Sequence, residues 1–293
     1  MDRFSIGDAQ VHRVEELSVR LSFEMFGASE QLIAANADWL KPVWLGDDFM
    51  WDMVVQSFIV VVDGRVVVVD PCVGNGRALP AFPIFDNLDT PFIERFGASG
   101  FRPEDVDAVV CTHLHSDHCG WNTVLRDGKY VPTFPNARYV MGWREVARWD
   151  TRRSDYKHIP ENEGVFERSV LPVLEAGLAD VVGDTHAVSP SLTAGLAHGH
   201  TLGHVALHLN SAGQHGWFTG DAFHHPIELI HPELDEHSCE DYRTTVATRR
   251  RLIETFIAQG ALIIPAHFTA PHAGYLREDG GKRRFEPLAS LQV

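Results

Sequence analysis

Cysteine is scarce in this chain. Its 293 residues include four, Cys72, Cys111, Cys119 and Cys239, and no two form a C-x-x-C pair. A chain of this length buries enough surface to fold without disulfide staples, so free thiols in a reducing compartment are expected. Long apolar runs are missing too. The most apolar stretch, VVQSFIVVVDGRVVVVD, is cut by Asp63, Gly64 and Arg65, well short of the roughly 20 apolar residues of a membrane helix. The opening MDRFSIGDAQVHRVEEL is mixed and charged, without the apolar centre of an export signal. Positive charge is short: 25 Lys and Arg face 40 Asp and Glu, a formal net charge of −15. Such a field repels phosphate backbones, although bound cations would make a local potential positive. The expectation is a cytoplasmic protein with a small-molecule substrate, no nucleic-acid partner and no membrane. Tandem repeats and low-complexity tracts are absent, and residues 1–293 read as one domain.

What is present divides into punctuated apolar runs. Val54–Val62 and Val66–Asp70 are β-branched runs joined by Asp63-Gly64, a hairpin signal, and their continuous apolarity predicts strands buried on both faces. Thr90-Pro91 predicts a helix start with Thr90 as cap and Gly97 as its end. Asp107–Cys111, Arg138–Met141, Val205–Leu209, Gly216–Thr219 and Ala261–Ile264 predict further strands, the last taken as final. Asp127-Gly128 predicts a second hairpin, Gly164–Ala176 a helix, and Ser238–Gln259 the longest helix, opened by Ser238 with Asp241 and closed by Gly260. Residues 22–52 are rich in bulky apolar side chains and read as a packed N-terminal arm or a lid, with a short helix at Glu30–Trp39. Apolar arms also pair subunits, so a homodimer is compatible with the sequence.

The polar clusters fall just past the strand ends. THLHSDH at 112–118 follows the strand at 107–111. An extended backbone there aims His113 and His115 the same way, because the strand period is two. Asp117 and His118 come after a turn and aim elsewhere, which suggests two adjacent ions rather than one. Neutral imidazole with carboxylate suits zinc first, and iron or manganese also fit. A histidine-rich surface loop would explain this stretch alone. It would not explain why AHGHTLGH, FTGD and PAHF recur beyond later strands.

Together these motifs resemble the metallo-β-lactamase fold superfamily: His113-Leu114-His115-Ser116-Asp117-His118 matches its HxHxDH and Gly199-His200-Thr201-Leu202-Gly203-His204 its GHTxGH. Asp221 matches its bridging aspartate and His267 its last histidine. The resemblance implies an α/β fold, a four-layer αββα sandwich, and two divalent metal ions. One ion would be held by His113, His115 and His200, the other by Asp117, His118 and His267, with Asp221 and a water between them. Asp70 would order the loops, and His204 would be structural. Such an ion pair lowers the pKa of a shared water toward neutrality, and Asp117 could pass a proton to the leaving group.

Within the superfamily, flavin-linked diiron reductases usually carry Glu at the position of His115, and RNA-processing members carry basic surfaces. Glutathione-thioester hydrolases add basic C-terminal residues; here Lys282, Arg283 and Arg284 read as a solvated tail. The remaining resemblance is to stand-alone lactonases and esterases, near the acyl-homoserine lactonases and organophosphate hydrolases. This implies a metal-bridging hydroxide acting on a small lactone or related ester, with phosphotriesters and thioesters as alternatives. Many such lactonases have a tyrosine three residues after the bridging aspartate. Here that residue is His224, assigned a catalytic hydrogen-bonding or acid role, and Tyr242 is a candidate replacement phenol. A mononuclear iron oxidoreductase of the persulfide dioxygenase type shares the HxHxDH pattern and is the alternative from another class.

Overall fold

The computed structural model describes residues 2–234, 237 and 239–288. Two seven-stranded sheets form its centre. The first contains, in spatial order, β1 (Arg3–Ile6), β2 (Ala9–Ser22), β3 (Met50–Val62), β4 (Arg65–Val69), β5 (Ala108–Val110), β8 (Arg138–Gly142) and β9 (Ala179–Val182). The short pair β6 (Thr123–Arg126) and β7 (Lys129–Pro132) forms a separate hairpin through Asp127-Gly128. The second sheet contains, in order, β10 (Thr185–Ala187), β11 (Leu192–Leu196), β12 (Val205–Ser211), β13 (Gln214–Gly220), β14 (Leu262–Pro265), β15 (Gly274–Asp279) and β16 (Lys282–Pro287).

Even the uniformly apolar strands keep a period of two. Phe58, Val60, Val67, Val69, Val110 and Val140 face inward and pack with Leu207, Leu209, Phe218, Leu262 and Ile264 of the other sheet. Ile59, Val68, Val109 and Ile263 face outward, into a core shared with Phe92, Phe96, Val173, Leu252 and Phe256 of the flanking helices. Helix, sheet, sheet and helix therefore stack as the expected αββα sandwich. Full burial of side chains this size contributes about 1.5–3 kcal/mol each, which makes the sheets a rigid base for their loops. The strand pairs β4–β5, β5–β8 and β13–β14 are parallel. Their C-terminal ends thus lie along one edge, and the polar motifs follow those ends.

Several expectations need correcting. Residues 22–52 are not an N-terminal arm: β1 and β2 precede them in the first sheet, and residues 23–49 connect β2 to β3. The segment's Phe23, Phe26, Leu40, Trp44 and Trp51 are buried within this chain, while its Val43 and Phe49 are exposed. Thr90 caps nothing: its hydroxyl donates to Glu16 Oε1 at 3.1 Å, the helix Phe92–Ala98 has Pro91 at its N-cap, and Gly97 lies inside it. Asp241 caps the long helix Tyr242–Gln259 through Thr244 N, while Ser238 lies outside the described residues. Ala261–Ile264 does not end the sheet, since β15 and β16 follow. Lys282–Arg284 is therefore strand, not tail, paired with Arg277–Asp279 across the Gly280-Gly281 turn.

Candidate metal centre

Loop geometry begins at Asp70, just past β4, where the backbone turns with φ 49°. Its carboxylate accepts from Thr112 N at 2.7 Å and Thr112 Oγ1 at 2.8 Å, joining the ends of β4 and β5. Val205 N donates to Thr112 O at 2.8 Å and so ties the second sheet to the same point. His113 and His115 extend from Thr112, and Asp117 and His118 lie on the single helical turn Ser116–Cys119. Gly120 follows because no side chain fits there: a Cβ would stand 1.6 Å from Val73 O.

Seven predicted donors converge here. His113, His115, His200 and Asp221 form one group whose donor atoms lie within 4.8 Å of one another, and Asp117, His118 and His267 form a second. Asp221 spans both. Its Oδ1 is 3.1 Å from Nε2 of His118 and of His267, and its Oδ2 is 3.4 Å from His200 Nε2 and 3.7 Å from His113 Nε2. His115 and Asp117 are the part-exposed members, so the group opens to solvent on their side.

The outward nitrogens decide what the inward ones can do. His113 Nδ1 donates to Thr112 Oγ1 (3.1 Å), His118 Nδ1 to Asp70 Oδ2 (3.0 Å) and His267 Nδ1 to Val54 O (2.9 Å). In its neutral form each ring then presents an Nε2 lone pair inward, the tautomer a metal ligand needs. His115 Nδ1 lies 3.0 Å from both His113 Nε2 and His200 Nε2. Lone pairs that close satisfy one another poorly but converge well on a cation. The residues therefore fit two borderline cations of the zinc kind.

Electrostatics agree. Burial holds His113 and His200 well below the ordinary imidazole range, and His115 down to about 4, so these rings are neutral at pH 7. For Asp221, burial alone would raise the carboxyl, but the surrounding histidines, His118 foremost, hold it well below the usual range. His118 is likewise opposed by burial, yet Asp221, Asp117 and Asp70 raise it well above the ordinary value. In the metal-free protein this aspartate and this histidine pair as ions, and a bound cation would displace that proton.

Other residues hold the loops, and sequence reasoning passed over most of them. Glu145 is buried; its Oε2 accepts from Leu114 N (3.0 Å) and Trp149 Nε1 (3.0 Å), its Oε1 from Gly203 N (2.8 Å). It joins the HxHxDH loop to the GHTLGH loop. Glu16 accepts from Val73 N, Gly74 N, Thr90 Oγ1 and Trp121 Nε1. Glu228 accepts from the backbone N of His224 (2.5 Å) and His225 (2.9 Å), and Arg249 Nη2 donates to it at 2.6 Å. His204, expected to be structural, accepts from Asp221 N at 3.1 Å through Nε2. Asp70 orders the loops as expected. His224 sits at the centre: its Nε2 is 3.3 Å from Asp221 Oδ2 and its ring stacks on His267 at 5.7 Å. Tyr242 does not fill the phenol role, since its hydroxyl donates to Glu233 O at 2.7 Å.

His225 has a different task. Its Nε2 donates to Trp44 O at 2.9 Å and its Nδ1 accepts from Ile227 N, with Phe23 and Trp51 packed around the ring. It fastens the β2–β3 connection to the loop after Asp221. Burial holds this ring down to about 4, against an ordinary imidazole value of about 6.5, so it is neutral in the folded state. The unfolded chain takes up the proton first as pH falls, so stability is lost between about 6.5 and 4. For metal-free protein, the stability advantage over His225→Gln is expected to shrink by roughly 2–3 kcal/mol between pH 7 and pH 4.5. Urea unfolding at the two pH values measures this, and a constant gap would contradict a neutral buried ring.

Comparison with known proteins places this geometry. The Metallo-beta-lactamase superfamily sequence model matches residues 50–267. Among solved structures, the fold is similar to the hydrolase AbOPH of the beta lactamase superfamily, with TM-score 0.81, 23% identity and coverage of 98% of this chain and 97% of that one. It is also similar to AidC, a dizinc quorum-quenching lactonase in complex with a product, with TM-score 0.76, 16% identity and 99% and 98% coverage. A probable metal-dependent hydrolase from Staphylococcus aureus gives TM-score 0.74 at 18% identity, with 99% and 100% coverage. Two curated relatives are named transcription termination factor FttA. The one from Methanocaldococcus jannaschii is 29% identical over 146 residues, 47% of this chain and 22% of its own length. The one from Pyrococcus horikoshii is 27% identical over 164 residues, 52% of this chain and 23% of its own length. The chain thus matches less than a quarter of either relative. The family match, in contrast, runs from the start of β3 to the last donor loop, and the chain belongs to the Metallo-beta-lactamase superfamily.

Proposed function

We propose that this chain is a metal-dependent hydrolase acting on a small lactone or a related carboxylic ester. The observation that carries the reading is Asp221, one carboxylate shared between two inward-facing donor groups. His113, His115 and His200 would hold one divalent ion, Asp117, His118 and His267 the other, with zinc as the first candidate. When bound, such a pair supplies a hydroxide near neutral pH and polarises a substrate carbonyl.

The chain's own residues do the rest. Asp70 and the Val54 carbonyl fix the tautomers of His118 and His267. Asp117 is the more exposed carboxylate at the centre, with Oδ2 3.5 Å from His267 Nε2, and it is placed to carry a proton to the leaving oxygen. His224 faces Asp221 Oδ2 and, where lactonases place a tyrosine, supplies a donor to the substrate or holds Asp221 in place. Among the described residues no helix is long and apolar enough to cross a membrane.

The test combines a metal count with a hydrolysis screen of zinc-loaded protein. The screen covers lactones, aryl esters, phosphotriesters and thioesters, plus a single-stranded RNA because of the two termination-factor relatives. Two zinc per chain with lactone turnover is the expected outcome, and the net charge of −15 predicts intact RNA. One iron per chain with oxygen consumption and no hydrolysis would replace this reading with the oxidoreductase.

A further inference from the structure

A cavity of about 880 Å³ lies beside the metal centre, on the wall made by the helix Trp143–Trp149, the 153–157 loop, Leu202 and residues 240–243. It adjoins the donor loops directly. Leu202 stands two residues after His200, and Glu240 N donates to His200 O at 2.9 Å. Glu240 Oε2 accepts from Leu202 N at 3.1 Å. On the other side, the Arg148 guanidinium lies 4.3 Å over the Trp149 ring, which meets His115 edge-on at 5.4 Å.

Its lining has two properties that the rest of the surface predicts poorly. Trp143 and Leu202 are 47% and 48% exposed, two of the most exposed large apolar side chains of the protein. The lining also carries five basic residues against three acidic ones, in a chain of net charge −15. Much of that charge is paired: Arg144 with Asp184, Arg148 with Glu240, Arg153 with Asp155, and Asp241 with the start of the long helix. Among the described residues, Lys157 and Arg243 form no ion pair and are exposed. Apolar contact area flanked by two unpaired cations fits an amphipathic anion.

We propose that this cavity binds the remote part of the substrate, an apolar chain bearing a carboxylate, with Trp143 and Leu202 contacting the chain and Lys157 and Arg243 the charge. The proposal rests on the hydrolase reading for the word substrate, while the binding itself needs no turnover. Two exposed cations attract one carboxylate modestly, and salt screens the attraction, so the expected preference is about tenfold at low ionic strength.

Octanoate and octanamide serve as probes, titrated against the full chain, zinc-loaded and zinc-free, with tryptophan fluorescence as readout. Octanoate is expected to bind about tenfold more tightly than octanamide in both forms. Trp143→Phe should remove most of the signal, and Lys157→Ala with Arg243→Ala should reduce the preference to about twofold with unchanged thermal unfolding. Equal binding of the two probes would overturn the proposal. So would a preference that survives the double substitution, or octanoate binding that requires zinc, which would place the carboxylate on the metals. Absence of lactone turnover in the separate screen would instead count against the hydrolase reading and leave this binding result standing.

Discussion

Asp221→Asn is expected to leave a folded protein that holds about one divalent ion instead of two and loses about a thousandfold or more in kcat/KM. The side chain is buried, and its two oxygens reach the two donor groups separately. Asparagine keeps the shape but removes the negative charge that offsets two cations, and it offers an amide N–H where a lone pair is needed. Removing one preorganised electrostatic group from a catalytic site costs about 10²–10³ in rate, and losing an ion adds to that. The backbone should tolerate the change, because His204 holds the residue through its main-chain N and Glu228 holds the following loop. Metal analysis after dialysis, paired with steady-state kinetics on the best substrate of the screen, measures both effects. A variant that retains two ions and activity within tenfold of the parent would show that Asp221 is not the shared ligand.

The candidate donors can be picked out in the sequence because they are local. His113 to His118 occupy six consecutive positions, and the other motifs follow strands whose apolar runs are clear. The Asp63-Gly64 hairpin was equally plain, since both residues take positive φ, 51° and 72°, as a tight hairpin turn requires. β2 was not. Its stretch AQVHRVEELSVRLS mixes charge with apolar residues, and a shift in register between Glu15 and Leu17 breaks the alternation where Glu16 turns inward. Glu228 takes local N–H groups and the side chain of Arg249, 21 positions away, whereas Glu16 and Glu145 share another reason for being missed. Acidic side chains on a strand or helix read as solvated, and burial becomes intelligible only once backbone N–H groups distant in sequence surround them. Glu145 accepts from Leu114 N and Gly203 N, 31 and 58 positions away. Thr90 was misassigned for the same reason, its hydroxyl being taken by Glu16, 74 positions away. β15 and β16 escaped because charged residues hid their alternation on either side of Gly280-Gly281.

The Glu228–Arg249 pair allows the sharpest stability prediction. Both side chains are fully buried. Arg249 also donates to Ala222 O through Nε at 2.6 Å and to Leu234 O through Nη1 at 2.5 Å, so the pair frames the whole loop from Asp221 to His225. Replacing one partner takes this contact away from the other buried charge, which costs about 3–5 kcal/mol, a large share of the about 5–15 kcal/mol that typically keeps a domain folded. Arg249→Met and Glu228→Leu are therefore each expected to lower stability strongly in metal-free protein. Glu228→Leu combined with Arg249→Met removes both charges and should recover part of the loss. It should not recover all of it, because His224 N, His225 N, Ala222 O and Leu234 O would still lack their partners, at about 1–3 kcal/mol for each group left unsatisfied. Urea unfolding of the four proteins closes a double-mutant cycle, and a favourable coupling of about 2 kcal/mol or more is expected. The same change should reach the chemistry: with the loop loosened, His224 and Asp221 lose their relative position, and zinc affinity should fall by about 10–100-fold, as for residues that orient metal ligands. Single variants as stable as the parent would mean that the pair does not hold the loop. Variants that lose stability but bind zinc as the parent does would confine its role to the fold.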